Sequence, residues 1–100
     1  MISVLKIKEI YRNEEFPSIK DLISEKEPQD KDKILNYLKR GEVVAVAAER
    51  ATDLITGKTI DGELFCYTDG KYTWRSDTIY YFEKYNIELP KKFVYYVLNK

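Results

Sequence analysis

The stretch Tyr67-Thr68-Asp69-Gly70-Lys71-Tyr72-Thr73-Trp74-Arg75-Ser76-Asp77 decides the reading of this chain. Asp69-Gly70 between two β-rich runs is a hairpin signal, because both central positions of a type I′ turn need positive φ. It predicts strands at 63–68 and 71–75. Alternation along the second strand puts Tyr72 and Trp74 on one face and Lys71, Thr73 and Arg75 on the other. Ser76-Asp77 then reads as a helix cap. The helix it opens turns Ile79 and Phe82 inward, and Asn86 ends it. Leu89-Pro90 opens a last helix, with Phe93 and Val97 toward the core.

Upstream, Val43-Val44-Ala45-Val46-Ala47-Ala48 has no polar alternate set and predicts a strand buried on both faces. Before it, Ile34, Leu35, Tyr37 and Leu38 give one side of a helix that starts near Asp30 or Asp32. Lys39 and Arg40 suit its C-terminal end and Gly41 its C′ position. Ser18 caps an earlier short helix carrying Ile19, Leu22 and Ile23, which Pro28 ends. Residues 2–10 alternate in part, as a short strand or a docked extended arm would. Residues 51–56 suit a further short strand, with turns at Thr56-Gly57-Lys58 and Asp61-Gly62. The sum is one α+β domain over 1–100. Its expected form is a three- to four-stranded antiparallel meander with two N-terminal and two C-terminal helices packed on it.

Composition narrows the chemistry. With 44% apolar and 34% charged residues, the 100-residue chain has the makeup of one soluble globular domain. No apolar run approaches the roughly 18 residues of a membrane span, and Met1 to Ile10 has no signal-peptide core. A cytoplasmic location is the default expectation, and Cys66, alone, fits a reducing compartment. The absence of histidine removes the commonest general base and the Ser-His and Cys-His pairs. It also leaves a zinc site almost without ligands. No metal site and no cofactor are expected. Seventeen basic and seventeen acidic residues balance overall, but not locally. Residues 49–70 hold Glu49, Asp53, Asp61, Glu63 and Asp69 against Arg50 and Lys58, whereas residues 71–100 are net basic.

The candidate functional residues each have a plain structural reading. Trp74 fits a plug between sheet and helix. Cys66 fits a small buried hydrophobe. Asp53, Asp61, Asp69 and Asp77 sit at turns and strand ends, where aspartate bonds the backbone. A carboxylate-based enzyme would need two of them to converge. Ile55-Thr56-Gly57-Lys58-Thr59 lacks the upstream glycines and following helix of a phosphate loop. Lys71, Tyr72, Trp74 and Arg75 mix bases and aromatics as a single-stranded nucleic-acid module would, but without a basic stripe nucleic acid is a disfavoured partner.

Across 53–93 the chain resembles a family of small bacterial proteins through four runs. They are Asp53 to Gly57 (Asp-Leu-Ile-Thr-Gly), Thr68 to Trp74 (Thr-Asp-Gly-x-Tyr-x-Trp), Tyr80 to Tyr85 (Tyr-Tyr-x-Glu-Lys-Tyr) and Leu89 to Phe93 (Leu-Pro-x-x-Phe). Such proteins look like the immunity proteins of toxin systems, each of which neutralises one cognate toxin. The resemblance implies a non-catalytic protein-binding domain that occludes a toxin's active site, and it carries over no catalytic residue. The expected partner-binding face combines the acids Glu49, Asp53, Asp61 and Glu63 with Tyr67 as aromatic anchor, because toxins that cleave nucleic acid often present basic clefts.

Overall fold

The hairpin around Asp69-Gly70 lies inside a four-stranded sheet. A computed structural model describes residues 1–100 as β1 (Ile2–Ser3), α1 (Lys8–Tyr11), α2 (Ile19–Leu22), α3 (Lys31–Lys39), β2 (Glu42–Ala47), β3 (Leu64–Thr68), β4 (Tyr72–Arg75), α4 (Ser76–Tyr85) and α5 (Lys91–Leu98). The order across the sheet is β1-β4-β3-β2. Strands β2, β3 and β4 form the expected antiparallel meander. The sheet as a whole is mixed, because β1 runs parallel to β4 with Ile2 opposite Tyr72 and Ser3 opposite Thr73. A short segment that buries Val4 and Ile7 completes the free edge of β4, and the helical crossover that follows sets its direction. Three helices rather than two precede β2, the first two being single turns. Ser18 caps α2 as expected, in a capping box with Asp21.

The turn itself departs from type I′. Thr68 pairs with Thr73, so Gly70 and Lys71 are the central residues. Positive φ is confined to Gly70 (98°), the pattern of a II′ turn. Asp69, just past β3, opens the turn, and its Oδ1 accepts the amides of Lys71 at 2.9 Å and Tyr72 at 2.7 Å. The Tyr37 hydroxyl donates to the other carboxylate oxygen and ties the turn to α3.

Trp74 is the plug anticipated. It is buried against Phe93 and Tyr67, and its indole N–H donates to the Leu38 carbonyl at 3.0 Å. That carbonyl lies in the last turn of α3, where its backbone bond from the Gly41 amide is long, at 3.4 Å. Gly41 follows α3, and its glycine requirement is one of space. A Cβ there would lie 2.6 Å from Trp74 Cζ2 and 2.9 Å from Tyr67 Cβ.

Strand β2 contradicts the reading of Val43 to Ala48 as buried on both faces. It is the sheet's edge, and Val43, Val44 and Val46 are 47%, 50% and 55% exposed. An apolar run reports the need for cover, and here the chain has no element left to supply it. The strand anticipated at 51–56 reduces to one antiparallel bridge between Thr52 and Thr59. Ser76 is the first residue of α4 rather than its cap. Its hydroxyl accepts the Phe65 amide at 3.0 Å and fastens the helix to β3.

Gly41→Ala is expected to cost about 2 kcal/mol by overpacking against Trp74, and Gly70→Val about 1–2 kcal/mol by left-handed strain. Denaturant melts of both variants check this. A Gly41→Ala protein as stable as the parent would show that the indole yields to the added methyl.

Candidate functional site

The segment between β2 and β3 is shaped by one carboxylate. Asp53 is 1% exposed, although the sequence reading placed it on the binding face. Its Oδ1 accepts the amides of Ile55 at 2.8 Å and Thr56 at 3.1 Å, the side-chain turn that aspartate favours. Its Oδ2 accepts the hydroxyls of Tyr80 and Tyr85, both at 2.6 Å. The Asp53 amide donates to Lys58 O and its carbonyl accepts from Gly57 N, which closes the loop. Lys84 Nζ stands 3.8 Å from Oδ2 and donates to the Tyr80 hydroxyl at 3.0 Å. Tyr81 completes the clamp. Its hydroxyl donates to Thr52 O at 2.9 Å and accepts from Leu54 N at 3.1 Å.

Burial alone would raise the Asp53 carboxyl. The two tyrosine hydroxyls and two amides outweigh it and hold the group well below the usual aspartate range. Burial pushes the Tyr81 hydroxyl up to about 12. The charge on Asp53 is therefore fully committed, and the whole arrangement fixes the loop on α4.

The other expected partner residues divide. Glu49, Asp61 and Glu63 are exposed, and none enters an ion pair. Asp61 and Glu63 border a small cleft of about 220 Å³ between the loop and α4, together with Asp77 and Glu83. Tyr67 is not on this rim. It is half-buried on β3, with its ring stacked 6.5 Å from Trp74. The cause is register: Tyr67 lies opposite Trp74 and so shares the covered face of the sheet.

The remaining aspartates are occupied singly. Asp69 serves the hairpin turn. Asp77 is buried and takes Arg75 in a two-pronged pair, Nε to Oδ1 at 3.1 Å and Nη2 to Oδ2 at 2.8 Å. Burial pushes its carboxyl up, and Arg75 pulls it partly back. Arg75 is thereby spent, and Tyr72 and Trp74 are buried. The base-and-aromatic set named for a nucleic-acid module therefore has no accessible ring.

The Tyr80–Tyr85 run enters the sequence reading only through the resemblance, with no role assigned to it as a clamp on Asp53. A signal for it exists: an aspartate three residues before the Thr56-Gly57-Lys58 turn, and a helix with Tyr80–Lys84 and Tyr81–Tyr85 each spaced by four. No family model, no curated protein and no solved structure matches the chain.

Asp53→Ala is expected to lose about 3 kcal/mol, since it orphans two hydroxyls and two amides. The pH dependence has a definite sign. The folded carboxyl titrates below the unfolded one, so its stabilisation is complete above about pH 4 and fades as pH falls through the folded value. Asp53→Asn removes that titration. Its melting temperature should fall less steeply with acid than the parent's, and parallel curves would show that Asp53 carries no folded-state shift.

Proposed function

We propose that this chain is a non-catalytic protein-binding domain of the immunity class, which neutralises a cognate bacterial toxin by covering its active site. One observation carries the reading. The loop after β2 is locked by a buried carboxylate, while Glu49, Asp61 and Glu63 on the same connection stay exposed and unpaired. A rigid loop loses little entropy on docking. Uncompensated acids on it would steer a basic cleft into place and speed association at low salt. The resemblance across 53–93 is consistent with this, because two of its four runs are the loop and the helix that clamps it.

The product of a neighbouring toxin gene, used as bait, tests the reading. Capture and protection of growing cells are expected. Asp61→Lys with Glu63→Lys should slow association about tenfold at low salt and leave the melting temperature unchanged. Association unaffected by the double reversal would remove the acidic rim from the interface. No protection by the parent chain would overturn the class.

A second reading draws on a different surface. Lys71, Lys91, Lys92 and Lys100 line a shallow cleft of about 710 Å³ with Tyr95 and Tyr96, and no carboxylate side chain lines it. Tyr95 is 71% exposed, a free ring beside fixed cations, as single-stranded nucleic acid requires. This predicts salt-sensitive binding of a short single strand, weakened about tenfold by Tyr95→Ala. Fluorescence anisotropy with no binding at low salt would dismiss it.

A further inference from the structure

Strand β2 poses a problem that neither reading solves. It ends the sheet, so its outer side presents a row of unpaired backbone N–H and C=O groups. It also leaves three valines about half exposed, where edge strands ordinarily carry charge or proline. The other edge, β1, is two residues long. The backbone row states what kind of cover fits: another strand.

The register of β2 indicates whose strand. Val43 lies opposite Tyr67 and Val46 opposite Phe65, with an irregularity between Val43 and Ala45. Tyr67 and Phe65 are two residues apart on β3 and share a face. Val43 and Val46 therefore share that face as well, although three residues separate them. An unbroken strand would put them on opposite faces. The extra residue lets Val43 of one antiparallel copy meet Val46 of the other on the same face. When Val43 of one copy meets Val46 of the other, every further pair keeps its face. Glu42 then meets Ala47. Arg40, at the C-cap of α3, and Glu49, in the bend after β2, stand beyond opposite ends of the strand, so in the antiparallel pair Arg40 of each copy lies toward Glu49 of the other. Within one chain Arg40 and Glu49 are exposed and neither has an ion-pair partner.

We propose that β2 is the contact of a two-fold symmetric dimer of this chain, in which two copies pair antiparallel about the Val44–Ala45 step into one eight-stranded sheet. Opposed Val43–Val46 pairs supply apolar cover on one face, as cross-strand pairs do in sheets, and two Arg40–Glu49 charge pairs flank the paired strands. A two-fold contact is isologous, so each half of the strand needs only to complement the other half.

Sedimentation of the full chain tests this without any partner. The parent should pass from monomer to dimer through the micromolar range. Val46→Lys inserts a cation into both valine contacts and should sediment as a monomer where the parent is dimeric. Its circular dichroism and melting temperature should stay unchanged under conditions where both are monomeric, since residue 46 is exposed. Arg40→Glu should weaken the dimer about tenfold, and Arg40→Glu with Glu49→Arg should restore it to within about threefold of the parent. A parent that is monomeric at every concentration overturns the proposal. So does a dimer that survives Val46→Lys, or a double charge exchange no better than the single reversal.

Discussion

A single buried charge organises one side of this molecule. Asp53 leaves water with its carboxylate ionised, a cost that only a full set of donors can offset. Those donors come from two places, the amides of its own turn and the hydroxyls of Tyr80 and Tyr85 on α4. The loop cannot take its shape without the helix. The helix in turn aims two tyrosine hydroxyls at one oxygen of that loop. Lys84 lies over both tyrosine rings and near the carboxylate, so it balances the charge from the solvent side. The cluster spends polar chemistry on shape, and what it shapes is the connection that carries Glu49, Asp61 and Glu63.

Trp74 plays the corresponding part on the covered side of the sheet. Its indole reaches the last turn of α3 through Leu38, stacks on Tyr67 and packs against Phe93 of α5. Gly41 lets the chain turn from α3 into β2 directly over that ring. Helices α3 and α5 are therefore drawn to β4, toward one end of the sheet. Strand β2 at the other end is left with little above it. The exposure of its valines is a consequence of where the aromatic core gathers its helices.

Much of this fold was legible where local chemistry decides it. Asn86, Ser18 and the Phe93/Val97 spacing each act within a few residues and took their expected places, and Gly70 has its expected positive φ, although one position earlier in the turn. Features decided by distant partners were misread. The Val43–Ala48 run reads identically whether its cover lies within the chain or outside it. Asp53 and Asp61 are alike as turn aspartates, and only the tyrosines some thirty residues on bury the first and leave the second wet. Tyr67 was placed on the acidic rim by its neighbours in sequence, whereas strand pairing assigns it to Trp74. The parallel docking of β1 left no local trace, since alternation in a short segment does not encode direction.

That docking has a bearing on how the molecule is made. Ile2 and Val4 take their backbone partners from Lys71 and Thr73, far along the chain. A ribosome emits residues in order, so Val4, Leu5 and Ile7 are synthesised long before the strand that buries beside them exists. Until β4 emerges, those side chains have no native shelter, and the sheet stays open at that edge. Contacts of such long sequence separation close late and slow folding. The first apolar residues of this domain thus wait for β4, and the nascent chain carries Ile2 and Val4 without their strand partner until it emerges.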